Sequence, residues 1–151
     1  MKLAEALILR ADLQKRLVQL KQRILDNAKV QEGDAPAEDA NRLLAELERG
    51  NADLVDLIQR INRTNSTTQL DADLTLADAL AVRDSLKLRH TVHRELAQAA
   101  TITQSRFSRS EVKFVSTVDV GAMQETADQL AREHRDLDAR IQAANWSTEL
   151  V

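Results

Sequence analysis

Residues 40–61 read ANRLLAELERGNADLVDLIQRI, and the fold turns on whether this stretch is one helix or two. Gly50 followed by Asn51 has the look of a helix stop and a fresh cap. The apolar phase says otherwise. Ala40, Leu43, Leu47, Gly50, Leu54, Leu57 and Ile61 keep alternating steps of three and four straight through the pair, the period that lines one face of an α-helix. A chain broken at Gly50 would be expected to lose that register. The reading is one continuous helix over about 37–62, roughly 37 Å long at 1.5 Å per residue. Gly50 then costs up to about 1 kcal/mol of helix propensity, and such a residue is expected where another helix approaches closely.

Working outward, residues 2–32 carry a second stripe. Leu13, Leu17, Leu20 and Ile24 fall at 4-3-4 spacing, and Leu3, Ala6 and Arg10 continue the phase toward the N-terminus. EGDAPAED (32–39) separates the two helices: Gly33 can take a left-handed conformation and Pro36 suits a first helical turn. So short a loop makes the helices antiparallel neighbours. NRTNSTTQLDAD (62–73) is a polar stretch with no helical stripe, read as an irregular loop. A third helix over 75–100 opens with Thr75 and Asp78 at capping-box spacing. A fourth, over 119–145, starts at an Asp119 cap and carries Met123, Ala127, Leu130, His134, Leu137 and Ile141 on one face.

Between the third and fourth helices the pattern changes. Val112, Phe114, Ser116 and Val118 alternate every second position, the signature of an extended strand, within a segment spanning about 101–118. A lone strand leaves backbone donors and acceptors unpaired. The segment must therefore pair with residues 101–107, with the Thr-rich stretch at 64–70, or with another copy of the chain. The expectation is that Val112, Phe114 and Val118 form an arm that takes part in a homo-oligomer.

Counting supports the helical reading. Of 151 residues, 43% are hydrophobic but only 2% aromatic, with one Pro and three Gly. A core of Leu, Ile, Val and Ala with few turn residues suits helices packed on helices. The expected architecture is mainly α: a single four-helix antiparallel bundle-like domain with a small β-ribbon or extended arm between helices three and four. The absence of cysteine removes disulfides and thiolate chemistry and fits a cytoplasmic protein. Glu5, Arg10 and Asp12 interrupt what a signal peptide would need as an apolar region. No run approaches the roughly 18 uncharged residues of a membrane-spanning helix.

Several stretches together, MKLAEALILRADLQKRL, LIQRINRTN, SRSEVKFVSTVDV and LDARIQAANWSTEL, make the chain resemble a family of small bacterial proteins of unknown biochemical role, some of them labelled septicolysin. The resemblance runs over nearly the whole length. It implies a shared fold and, through that label alone, a membrane-active, cell-lysing role. It supplies no catalytic residues.

The residues themselves offer little chemistry. Arg10, Arg83, His90, His93 and His134 are polar side chains on or near apolar stripes, a candidate polar seam. Histidines near a bundle interior could hold a metal, but di-iron bundles need inward Glu residues and Glu-x-x-His motifs, which are missing here. The seam reads as a hydrogen-bonded layer that fixes register. Neither catalytic residues nor a cofactor is expected: no phosphate-cradling glycine loop or nucleophile elbow is present.

Net charge is −3, yet residues 83–113 hold seven basic against three acidic residues. Arg106, Arg109 and Lys113 form a candidate basic patch beside Phe107 and Phe114. Three cations and two rings on an acidic chain are few for nucleic-acid binding, which is not expected. The expected role is that of an oligomeric assembly or interaction protein without catalytic activity.

Overall fold

The computed structural model of the chain describes residues 1–103 and 113–151. It is mainly α, with helices α1 (Leu3–Asp26), α2 (Ala40–Thr67), α3 (Leu76–Ala100) and α4 (Val120–Ser147). A two-stranded sheet, β1 (Gln69–Asp71) and β2 (Leu74–Thr75), lies between α2 and α3. The chain divides into two compact units, Met1–Gln69 with Ala143–Val151, and Leu70–Gln142.

In the first unit α1 and α2 run antiparallel. Arg16 Nη2 lies 2.5 Å from Glu46 Oε1, and farther along α1 Arg23 Nε donates to Glu38 Oε2 at 2.9 Å. α2 is unbroken through Gly50 and Asn51, and the reason is visible at the glycine. A Cβ placed on Gly50 would lie 3.1 Å from Leu17 Cδ2, so the missing side chain is where α1 comes close. The α1 stripe faces inward, with Leu3, Ala6 and Leu20 buried and Arg10, Leu13, Leu17 and Ile24 half-buried.

Both expected boundaries of the α1–α2 loop move. α1 ends at Asp26 rather than near Glu32 because Asn27 intervenes. Its Nδ2 donates to the Arg23 carbonyl at 2.9 Å, and its Oδ1 accepts the Glu38 N–H at 2.9 Å. One amide thus closes α1 and anchors the chain entering α2. Asp39, not Pro36, sets the start of α2: its Oδ1 accepts the Asn41 N–H at 2.9 Å.

The far end of α2 also differs. It continues to Thr67 through the polar run read as a loop. The hydroxyls of Thr64, Ser66 and Thr67 donate to the carbonyls of Arg60, Asn62 and Arg63, each at 2.9 Å. Satisfied within the helix, these side chains no longer compete with it. The chain ends of this unit pair as an antiparallel bridge: Leu3 N–H donates to the Thr148 carbonyl and Leu150 N–H to the Met1 carbonyl, both at 2.9 Å.

The second unit opens with the β1–β2 hairpin, turning at Ala72 and Asp73. Asp71 Oδ2 lies 2.5 Å from Arg140 Nη2, which ties the hairpin to α4. Thr75 and Asp78 form the expected capping box at the start of α3, and Asp119 Oδ1 accepts the Ala122 N–H at 3.0 Å at the start of α4. α3 and α4 are antiparallel here. Arg83 reaches Asp138, while Ala97, near the other end of α3, shares a groove with Ala127. Leu76, Ala79, Leu86 and Ala97 of α3 are buried, as are Ala127, Leu130, Leu137 and Ile141 of α4.

Among the described residues the β element thus falls before α3, where the expectation put it after that helix. A two-residue turn closes β1 on β2 with little loop entropy to overcome. Residues 113–118 carry no strand. There Ser116 Oγ donates to the Val118 carbonyl at 2.7 Å and accepts the Val118 N–H at 3.4 Å, local bonds that displace strand pairing. The rest of the alternating segment, 104–112, lies outside the described residues.

Candidate functional site

Three of the five seam residues come together in the second unit. Arg83 and His90 on α3, and His134 on α4, line one groove of about 480 Å³. Steps of four and three place Arg83, Lys87 and His90 on one face of α3. The same spacing puts Ala131, His134, Arg135 and Asp138 on the facing side of α4. The other two are elsewhere. Arg10 is half-buried on α1, and His93 sets Nδ1 at 2.8 Å from the Arg89 carbonyl oxygen of its own helix.

The groove's electrostatics are mixed but lean cationic. Arg83 is paired on both sides: Nη1 reaches Asp138 Oδ1 at 3.3 Å, and Nη2 reaches Asp84 Oδ1 at 3.0 Å. The Arg83–Asp138 bond therefore links α3 to α4 and orients the guanidinium. Among the described residues, Lys87 and Arg135 have no ion-pair partner. An adjoining groove of about 660 Å³ shares His90 and continues past Arg94, Gln98, Gln124 and Asp128. No set of three or more His, Asp or Glu among the described residues is arranged to hold a metal ion.

Lys87, Arg135 and Asp138 were not read from the sequence as part of this group. The available signal was their helical spacing from Arg83 and His134. Which helix faces which is a tertiary matter. Of the candidate patch, Arg106 and Arg109 lie outside the described residues and Lys113 is exposed. Of the candidate arm, Val112 lies outside them, Phe114 is 82% exposed and Val118 is half-buried.

A second surface stands out on α3. Leu88, Val92 and Leu96 are exposed at successive steps of four. Leu88 lies about 200° around the helix from the buried Leu86, so α3 is apolar on two nearly opposite faces. Leu96 shares a shallow pocket of about 540 Å³ with Ile102, Phe114 and Val115, all exposed. Ser85 and Ala99, small and exposed, flank the stripe at either end. Among the described residues, no helix is long and apolar enough to cross a membrane.

Residues 10–150 match a family of unknown function, DUF6847. No curated protein matches the chain. A solved structure described as a functionally unknown conserved protein from Corynebacterium diphtheriae is 50% identical, with a TM-score of 0.93, and the match covers 100% of this chain and 99% of that one.

Proposed function

The chain belongs to this family of unknown function, and we propose that it is an assembly protein that associates with a second copy of itself through the outer face of α3. One observation carries the reading. The exposed stripe Ser85, Leu88, Val92, Leu96 and Ala99 has steps of 3-4-4-3, a spacing that reads the same in both directions. Its side chains run small, large, medium, large, small. A two-fold axis at Val92 sets a second α3 antiparallel to the first, with each Leu88 level with the other copy's Leu96 and the small residues at the ends. Self-complementarity of this kind is what an isologous dimer contact needs. Single exposed leucines are ordinary, whereas contiguous apolar patches beyond about 300–600 Å² mark contact surfaces. Ile102, Phe114 and Val115 extend the patch, which supports a contribution from the segment that follows α3.

Sedimentation of the full chain across a range of concentrations tests this. The expected result is a reversible dimer that Val92→Glu converts to monomer with an unchanged helical spectrum, and that deletion of 104–116 weakens. A wild-type chain that stays monomeric at high concentration overturns it. The membrane-active role implied by the septicolysin label calls on the same apolar face. Dye release from liposomes by the wild-type chain, abolished by Val92→Glu, would assign that face to lipid instead.

A further inference from the structure

We propose that the groove between α3 and α4 binds a small tetrahedral oxyanion, free or carried on a small molecule as a phosphate ester. The proposal is independent of the dimer reading, since His90 and the α4 residues lie away from the Leu88–Val92–Leu96 face. Three features of the second unit support it. First, the groove is large enough, at about 480 Å³, for such an anion and a small organic body.

Second, its donors come from both walls. Lys87 projects from α3 and Arg135 from α4, with the imidazoles of His90 and His134 also lining the groove. An oxyanion between them would accept charge-assisted hydrogen bonds, the strongest kind available to a neutral-pH surface site. Third, the acids present are already committed. Asp138 and Asp84 bind Arg83, at 3.3 and 3.0 Å, so of the three lysine and arginine side chains lining this groove Lys87 and Arg135 have no ion-pair partner among the described residues. Arg83 then acts as a positioning residue, joining the two walls rather than serving as the main anion contact.

The chain has three histidines, so imidazole resonances can be assigned by single His→Gln variants, and His93 serves as an internal control because it bonds its own helix. The experiment titrates the full chain with sodium sulfate, inorganic phosphate and glycerol phosphate, with sodium chloride at matched ionic strength to remove plain screening. The expected result is a saturable shift of the His90 and His134 resonances, with His93 unmoved, and affinity lowered about ten-fold or more in Lys87→Ala/Arg135→Ala. Tighter binding of glycerol phosphate than of inorganic phosphate identifies an ester-borne anion; equal binding identifies the free anion. Two results overturn the proposal: shifts no larger than chloride produces, or equal affinity in the double variant. Both substituted side chains are exposed, and a thermal melt matching wild type separates loss of binding from loss of fold.

Discussion

Thr64 Oγ1 accepts a hydrogen bond from the Val151 backbone N–H at 3.0 Å across 87 residues of sequence. The same hydroxyl donates to the Arg60 carbonyl at 2.9 Å, and Thr64 is fully buried. One side chain therefore satisfies the last turn of α2 and the end of the chain together. Thr64→Val keeps the shape and removes both bonds. It is expected to lower unfolding free energy by about 1–3 kcal/mol, while Thr64→Ser loses less. Urea denaturation of the two variants measures the difference, and equal stability of Thr64→Val and wild type would show that the tail bond contributes nothing.

Gly50 tests how tightly α1 and α2 meet. Alanine there gains up to about 1 kcal/mol of propensity but brings a Cβ to 3.1 Å from Leu17 Cδ2. That atom is the tip of a half-buried side chain, which a small rotation can move. Gly50→Ala is expected to change stability by no more than about 0.5 kcal/mol, the two effects offsetting. Gly50→Val is expected to cost about 1–3 kcal/mol through overpacking. Placing Gly50→Val in a Leu17→Ala background should recover part of that loss, a coupling that a double-mutant cycle reads directly.

The acid limb of stability follows from three carboxylates. The Arg23 guanidinium holds Glu38 below the usual glutamate range, Arg16 does the same to Glu46, and Lys2 with the N-terminal amine does so to Glu149. A carboxylate whose folded value is depressed contributes stability that is present above its unfolded value, about 4.3, and is lost as pH falls through the folded one. Thermal melts should therefore fall below about pH 4.5. The fall should be shallower in Arg16→Ala/Arg23→Ala, and high salt should reduce the gap between the two chains. Parallel curves at every pH would contradict this.

The two-fold register of the α3 stripe makes a prediction about pairs of charges. If Leu88 meets the other copy's Leu96, the chain with Leu88→Glu/Leu96→Glu repels itself and sediments as a monomer. The chain with Leu88→Lys/Leu96→Glu presents opposite charges across the same level and retains more of the dimer. A parallel arrangement reverses this expectation for the second variant, because like would then meet like. Comparison of the two variants at one protein concentration distinguishes the registers.

Most of the helical framework was legible in the linear pattern. The 3-4 phase through Gly50 specified a single long α2 because apolar periodicity is a local property that survives a poor helix former. Thr75 with Asp78, and Asp119, marked helix starts because caps are made by neighbours in sequence. The boundary misreadings run in opposite directions. Thr64, Ser66 and Thr67 look like loop residues until helical geometry supplies their hydrogen-bond partners, whereas Asn27 continues the apparent helix until its bonds to the Arg23 carbonyl and the Glu38 N–H end it. The alternating residues near 112–118 have strand spacing, but spacing supplies no partner, and the described part, 113–118, bonds locally instead.

What the sequence determined by itself was the helix inventory and the inward stripes of α1, α2 and α4, since both depend on steps of three and four along one chain. What only the tertiary structure decided was which stripe is left over and which polar groups meet. Leu88, Val92 and Leu96 look like core until Leu86 and Ala97 are seen to take the buried face. Arg83 and Asp138 are 55 positions apart and are joined only by the antiparallel docking of α3 on α4. Docking is set by packing between elements, and the spacing of residues along a single helix carries no record of its neighbour.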